Sequence, residues 1–505
     1  MEERKSMSLL LGYDVGSSSI KATLMDAETG AVLASATSPE KELEIIAPRL
    51  GWAEQHPHVW WDHVKLATQQ IRTKSKFDAS DVKAIGISYQ MHGLVVVDKK
   101  HEVLRPAIIW CDSRAVQIGQ KAAKDIGAQK CLKNLLNLPG NFTASKLKWV
   151  MENEPDVYSR IHKIMLPGDY VAMKMTGQIV TTPSGLSEGI MWDFRNDEPA
   201  EFVLESYGID GKLIAELVPT FSVQGELSKA AAKELGLESG TVVSYRAGDQ
   251  PNNALSLGVL DPGQIAVTAG TSGVVYGITD KKNYDQKSRV NIFVHVNHSP
   301  QSPRYGVLLC VNGTGILNSW LKHNFGANDE GALTYDRMNN LASEVPVGSE
   351  GLVILPYGNG AERTLENKDI GASVHGWNFN IHKKPHFFRA AQEGIIFALS
   401  FGLDIMKDMQ IELATARAGN ANMFLSPLFA EAFATVTKAT VELYNTDGSQ
   451  GAARGAGIGA GIYKDSTQAF VGLRPVRTVE PNGKLASQYD EAYAKWKSVL
   501  ERESG

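Results

Sequence analysis

Short apolar runs broken by glycine and by polar pairs recur along the whole chain. Leu9-Leu10-Leu11 leads into GYDVGSSSIKATLMD, where Ile20, Thr23 and Leu24 resume apolar and β-branched character, followed by Ala31 to Ala36. This pattern predicts two strands joined by a Gly-Ser turn, then a third. In GWAEQHPHVWWDHVKLATQQI, Trp60, Val64, Ala67 and Ile71 recur at helical spacing. Val82 to Ser88 predicts a strand ending at QMHG, with further strands at Leu94 to Val97 and Ile108 to Trp110. From Thr143 onward Leu147, Val150 and Met151 share one helical face. LPGDYVAMKMTG reads as a helix stopped by Gly177. TTPSGLSEGIMWDF, residues 181–194, reads as a loop, and SKAAAKELGLESG as a helix with a glycine stop.

The second half starts afresh with a strand at Gln264 to Ala269, the turn GTSG and a strand at Val274 to Thr279. Further strands are expected at Val307 to Val311, Leu352 to Leu355, Ile411 to Thr415 and Thr440 to Leu443. Helices are expected at Gly315 to His323, Pro385 to Asp408, Met423 to Thr435 and Gln450 to Tyr463, with an amphipathic tail at Glu491 to Glu503. In the long one Phe388, Ala391, Ile395 and Ala398 form an apolar stripe. Strands interleaved with helices indicate an α/β protein.

Composition changes this picture in three ways. At 505 residues the chain exceeds what one hydrophobic core serves, so two domains are expected. Hydrophobic residues at 43% and charged residues at 21% exclude a disordered chain. A net charge of −5 without a long basic run gives no reason to expect nucleic acid as a partner. Cys111, Cys131 and Cys310 are widely spaced and odd in number, which fits a reducing, cytoplasmic setting better than a disulfide framework. No apolar run reaches membrane-spanning length, and the N-terminus lacks the apolar core of a signal peptide. Met1 to Ser6 are expected to be disordered.

One stretch holds the most chemistry. In TVVSYRAGDQPNNALSLG, residues 241–258, a short β-branched strand runs into Asp249, with Pro251 in the first turn of the helix that follows. A carboxylate held there by rigid backbone reads as a catalytic base, and equally as a helix cap. An internal repeat supports the first reading. Set residue for residue against TAGTSGVVYGITD (268–280), DVGSSSIKATLMD (14–26) pairs Gly16 with Gly270, Ser17 with Thr271, Ser18 with Ser272 and Ile20 with Val274. Each copy is a strand, a Gly-hydroxyl turn and a strand. Such turns offer backbone N–H groups and hydroxyls to phosphate oxygens. Asp14, flanking the first turn together with Lys21, is a candidate ligand for Mg²⁺, a hard cation that prefers carboxylate oxygen.

The segments DVGSSSIK, GWAEQHPHVWW, ISYQMHG, FTASKLKWV, LPGDYVAMKMTG, AGDQPNNALSLG and AGTSG occur in this order between Leu9 and Tyr463. Together they resemble the FGGY carbohydrate kinases, and QMHG most resembles the xylulokinases among them. The resemblance implies an α/β fold of two ribonuclease-H-like, actin-like ATPase domains with the active site in the cleft between them. Residues 1–245 would hold the sugar site and the first phosphate loop. Residues 246–505 would hold the catalytic aspartate, the second phosphate loop and the adenosine site. It implies ATP, Mg²⁺ and transfer of the γ-phosphoryl group to the 5-hydroxyl of D-xylulose or, elsewhere in the family, to another ketose, a polyol or a sugar acid.

Residue by residue, the resemblance gives Asp14, Gly16, Ser17, Ser18 and Lys21 to the first phosphate loop, with Asp14 on Mg²⁺. Gly270, Thr271, Ser272 and Gly273 form the second loop, and Gly419 and Asn422 belong to the adenosine loop. Met91 and His92 face the sugar, with Trp52 beside them. Asp249 is the base and Gln250 its neighbour, where xylulokinases usually have asparagine. Asp112 and Arg114 in WCDSR match a further family-like stretch and read equally as a loop salt bridge. A second family segment, residues 372–393, departs from the usual pattern at Trp377 and Gln392, and these departures are expected to affect packing. A homodimer is a family-level expectation. The competing class is an actin-like nucleotide-binding sensor, which would have no need of QMHG or AGDQ.

Overall fold

Two mixed sheets organise the computed structural model, which describes residues 7–326 and 333–505. The expectation for Met1 to Ser6 lies outside those residues. The first sheet contains β1 (Leu9–Val15), β2 (Ile20–Asp26), β3 (Val32–Ser38), β4 (Val82–Tyr89), β5 (Phe221–Glu226) and β6 (Val242–Gly248), in the order β5-β6-β4-β1-β2-β3. The second contains β7 (Gln264–Ala269), β8 (Gly273–Thr279), β9 (Asn291–Val294), β10 (Tyr305–Val311), β11 (Thr415–Gly419), β12 (Thr440–Tyr444) and β13 (Pro475–Val479), in the order β9-β10-β8-β7-β11-β12-β13.

The two sheets repeat one plan. β1 pairs antiparallel with β2 and parallel with β4, β4 runs parallel to β6, and β6 antiparallel to β5. In the same succession β7 pairs antiparallel with β8 and parallel with β11, β11 runs parallel to β12, and β12 antiparallel to β13. The residue-for-residue repeat slips at the turn, however. Val15 pairs with Ile20 in the first hairpin, but Ala269 pairs with Gly273 in the second. The second turn is one residue tighter, so Gly273, not Val274, takes the place of Ile20. A one-residue slip moves every later side chain to the other face, so the sequence match beyond the turn does not align equivalent faces.

β1 shows why its run is almost continuously apolar: the sheet is covered on both sides. Leu9, Leu11, Tyr13 and Val15 pack with Trp60, Val64, Ala67 and Ile71 of the helix Pro57–Lys74. Leu10 packs on the opposite side with Ala453 and Ala456 of the helix Gly448–Gly459. That second helix sits unusually close to the strands. A Cβ on Gly12 or Gly86 would collide with its backbone at Ser449 or Ala452, and one on Gly455 would lie 2.6 Å from the Tyr245 ring. In the second half the helix Lys384–Asp408 is buried far beyond the expected stripe, from Phe387 through Leu399 without interruption.

Two units partition the chain. One comprises Met1–Gly258, Phe293–Tyr305 and Thr446–Leu473; the other comprises Val259–Ile292, Gly306–Asn445 and Arg474–Gly505. Several element boundaries differ from those expected. The strand sought at 411–415 is Thr415–Gly419, fixed by parallel pairing of Gln264 with Thr415 and of Val267 with Ala418. Ala416 and Ala418 are fully buried there, so pairing and close packing outweigh the weak strand propensity of alanine. Residues 183–188, read as loop, form a buried helix capped by Thr182, whose hydroxyl accepts the Gly185 N–H at 3.0 Å. The helix expected at 423–435 divides into a 3₁₀ turn at Asn422–Leu425 and a helix at Pro427–Thr437. Helices at Val116–Ile126, Ala128–Leu135, Glu201–Tyr207 and Tyr335–Ser343 had no counterpart among the expected elements. Among the described residues no helix is long and apolar enough to cross a membrane, and the three cysteines are free.

Candidate functional site

In the first unit, Asp249 opens the helix Asp249–Ser256 directly after β6. The N-cap is Gly248, whose ψ of 156° turns the chain, so Asp249 occupies the first helical position and is not the cap. A carboxylate there feels the positive end of the helix. Burial nonetheless pushes its pKa up to about 7, the charge of Asp14 adds to the rise, and bonds from the Gln250 backbone and side chain oppose it. A carboxyl titrating there can accept a proton near neutrality.

Asp14 is the penultimate residue of β1. It pairs with Lys21 across the hairpin and lies beside Ser88 of β4, whose hydroxyl donates to Asp14 Oδ1 at 3.0 Å. Burial raises the Asp14 pKa, Ser88 and Lys21 counter this, and Asp447 raises it further. Among the described residues no three His, Cys, Asp or Glu side chains are placed to hold a metal by themselves. Asp14 is the carboxylate here that could hold a Mg²⁺, a hard cation that accepts few protein ligands. The carboxylate suits it chemically, because a cation would offset the burial and the neighbouring charges.

The turn after Asp14 is tightly fixed. Gly16 N–H donates to Ser19 O at 3.1 Å, the Ser18 carbonyl accepts Leu43 N–H at 2.8 Å, and the Ser17 carbonyl accepts Gln55 Nε2 at 2.7 Å. Trp110 Nε1 donates to Ser17 Oγ at 3.2 Å, a contact with no sequence signal. Ser18 itself is exposed.

Met91 and His92 follow β4. Met91 is buried, and His92 has a φ of 61°, a left-handed backbone that costs a non-glycine residue roughly 1–3 kcal/mol unless its surroundings hold it. They do. His92 N–H donates to Glu188 Oε2 at 3.3 Å, His92 Nδ1 lies 2.8 Å from the Glu188 carbonyl, and Lys146 Nζ donates to the His92 carbonyl at 2.8 Å. Phe142 and Phe293 flank the imidazole at 5.1 and 5.5 Å between ring centres. Lys146 is fully buried, also bonds to Ile109 O at 3.0 Å, and has its pKa lowered to about 7 by burial, against the pull of Asp112. Burial also raises the Glu188 pKa well above the usual range, and the Asp249 charge contributes to the rise. Glu188 and Lys146 were not singled out from the sequence. For Glu188 one signal was available: Thr182-Pro183 is a cap followed by an N1 proline, the start of a helix.

Trp52 stacks against the Arg114 guanidinium at 3.8 Å and edge-on against Trp149 at 5.2 Å. Asp112 and Arg114 do form a salt bridge, at 2.6 Å, but a buried one that extends to Glu54 at 2.7 Å. Asp112 also accepts the Ala53 N–H at 2.6 Å. The group ties the Trp52 loop to the WCDSR segment.

The second unit holds a cavity of about 470 Å³ lined by Gly270, Thr271, Ile316, Tyr335, Asn422 and Leu425, among others. The loop Gly270–Ser272 is pinned from behind, as Gly315 N–H donates to Gly270 O at 2.8 Å and Ile316 N–H to Thr271 O at 3.2 Å. Gly273 has no room for a Cβ, which would meet Thr314 Oγ1 at 2.6 Å. Asn422 is brought to the cavity, with its amide 3.5 Å from where a Gly270 Cβ would stand. Gly419 ends β11 in open surroundings and is not among the lining residues. Beneath the cavity, Gln392 Nε2 donates to Asn339 Oδ1 at 3.0 Å and Gln392 Oε1 accepts from Ser426 Oγ at 3.2 Å, so this departure from the family pattern supports two lining residues.

A xylulose kinase of Lactococcus lactis is 31% identical over 517 aligned positions, covering 99% of this chain and 97% of the relative. The structure of a xyloylose kinase from Brucella ovis superposes with a TM-score of 0.87 at 26% identity, covering 98% of this chain and 99% of that one. A gluconate kinase from Lactobacillus acidophilus gives 0.88 at 23% identity, covering 99% of both chains, and so shares the fold. The two-domain mixed α/β architecture is thus the actin-like ATPase fold of these kinases. Residues 9–256 match the N-terminal domain of the FGGY family of carbohydrate kinases and residues 265–462 its C-terminal domain, and the chain belongs to that family, as a phosphotransferase with an alcohol group as acceptor.

Proposed function

We propose that the chain transfers the γ-phosphoryl group of ATP to the 5-hydroxyl of D-xylulose, giving D-xylulose 5-phosphate and ADP. The observation that carries this reading is Asp249: a half-buried carboxyl at a strand-to-helix junction, with its pKa up to about 7, beside Asp14 and Gln250. It accepts the proton that the sugar hydroxyl loses as it attacks phosphorus. Gln250 orients Asp249 and offers its amide to the sugar. His92 and Met91 bind the sugar by a hydrogen bond and an apolar contact, and Trp52 stiffens the neighbouring loop. Nδ1 against the Glu188 carbonyl oxygen is the donating ring nitrogen, which fixes the direction in which the imidazole meets a sugar hydroxyl.

On the nucleotide side, Gly16, Ser17, Ser18 and Lys21 form one phosphate-binding turn, and Gly270, Thr271, Ser272 and Gly273 the other. Asp14 would hold a Mg²⁺, which would supply neutralisation of the phosphate charge. Asn422 and the cavity around it receive the adenosine, and Gly419 leaves space at the edge of its loop.

The choice of D-xylulose draws on the relatives that are xylulose kinases, at 26–31% identity. Charge argues against a sugar acid such as the substrate named for the gluconate kinase: Asp249, which must be ionised to accept the proton, would repel a second carboxylate. The test is ADP release by purified protein with ATP, Mg²⁺ and a panel of ketoses, polyols and aldonates. D-Xylulose is expected to give the highest kcat/KM. Equal or better turnover of any other member removes the xylulose assignment, and no sugar-dependent ADP release with the whole panel removes the reading altogether.

A further inference from the structure

Glu188 is a buried carboxyl, 1% exposed, at the C-terminal end of the short helix Pro183–Glu188, and the phosphoryl-transfer mechanism assigns it no task. Burying a carboxyl is costly unless its oxygens are bonded. Both are. Tyr89 OH donates to Oε1 at 2.5 Å, and His92 N–H donates to Oε2 at 3.3 Å. The main chain of the same residue takes the other end of His92, with Nδ1 at 2.8 Å from its carbonyl. Glu188 thus grips His92 by backbone and by ring, at a residue whose left-handed φ of 61° needs such support. It also stands under the start of the Asp249 helix: a Cβ on Gly248 would lie 3.0 Å from Oε2 and 2.5 Å from Met91 Cγ. One side chain therefore touches the Met91-His92 segment and the strand end that carries Asp249.

We propose that Glu188 is a positioning residue for sugar recognition, fixing the backbone of His92, and through it the direction of the imidazole, by the hydrogen bond that Oε2 accepts. The inference rests on the reading of His92 as a sugar ligand. The accepting oxygen carries this role and the negative charge does not: burial and the charges of Asp249 and Asp169 disfavour ionisation of the carboxyl, outweighing the bonds from Tyr89 and the His92 N–H that favour it. The neutral isostere glutamine keeps an oxygen for the His92 N–H, whereas alanine removes it and aspartate withdraws it by one methylene.

The experiment is steady-state kinetics on the full chain, with the best sugar of the panel and with ATP, for His92→Ala, Glu188→Ala, Glu188→Asp and Glu188→Gln, each checked for folding by its thermal transition. His92→Ala and Glu188→Ala are expected to raise the sugar KM about tenfold or more, with the ATP KM within about twofold of the unaltered protein. Glu188→Asp should raise the sugar KM in the same sense, and Glu188→Gln should stay within about threefold of the unaltered protein. An unchanged sugar KM in His92→Ala overturns the reading of His92 itself. A raised KM in His92→Ala with an unchanged one in Glu188→Ala overturns the positioning role alone. Should Glu188→Ala not fold, Glu188→Asp decides: an unchanged sugar KM there overturns the role. A Glu188→Gln protein as impaired as Glu188→Asp overturns it too, because charge would then be what matters.

Discussion

The strand ends of the two sheets share a plan and differ in chemistry. Around β1, β4 and β6 the first unit gathers Asp14, Lys21, His92, Lys146, Glu188 and Asp249, and burial shifts the pKa of Asp14, Lys146, Glu188 and Asp249. Around β7 and β11 the second unit presents a cavity whose polar lining is largely amide and hydroxyl: Thr271, Asn318, Asn339, Asn422 and Ser426. The same succession of strands thus supports a cluster of ionisable groups in one copy and, in the other, a lining of amides and hydroxyls with the carboxyl of Asp336. Strand order places a turn at the same point of each sheet, one residue tighter in the second, and on the proposed reading the side chains there divide the labour. Proton transfer needs groups whose charge can change; holding a nucleoside needs shape and neutral hydrogen bonding.

If this division is right, damage should be selective. Asp249→Ala should lower sugar-dependent ADP release by at least about 10²-fold while leaving ATP binding, measured by calorimetry, near its original strength. Turnover within a few-fold of the original would remove Asp249 as the base. The pH dependence should point to the same group. A base must be ionised to act, and the Asp249 pKa lies at about 7. Log(kcat/KM) for the sugar should therefore be flat well above pH 7 and fall by about one unit per pH unit below it. In stability the sign is opposite. A carboxyl whose pKa is raised by folding destabilises the native state progressively as pH rises from its unfolded value to its folded one. Asp249→Asn should then raise the melting temperature at pH 8 and have no such effect at pH 3.

Gly455→Ala tests the first unit as a packed body. Its Cβ would press on the Tyr245 ring, so a loss of about 1–3 kcal/mol in denaturant unfolding is expected. The smallest effect should come from the second unit. Gln392→Leu strands Asn339 and Ser426 beneath the cavity, and an increase of several-fold in the ATP KM with an unchanged sugar KM is expected, on the order of 1 kcal/mol. A change in the sugar KM instead would blur the division between the units.

Much of this was legible beforehand where local signals and burial agree. The helix Pro57–Lys74 and the strands β1, β4 and β8 follow from apolar spacing. The Asp249 junction follows from a β-branched run meeting a proline-bearing helix start. Legibility failed where the deciding contact is remote. Thr415–Gly419 is a strand because it pairs with β7, although the neighbouring residues 411–415 have the more strand-like composition. Residues 183–188 look like loop until the Thr182 cap and their burial are seen. Glu188 itself belongs to the site only because folding places it against His92, which lies 96 residues away in the chain.

The sequence by itself determined the repeated Gly-hydroxyl turns, the position of Asp249 and the family resemblance, because each is written in contiguous residues with their own backbone preferences. The tertiary structure alone decided the one-residue difference between the two hairpins, the close seat of the helix Gly448–Gly459 against Gly12 and Gly86, and the pKa of Asp249. Register, close approach and desolvation all depend on partners brought from elsewhere in the chain, and no local pattern records them.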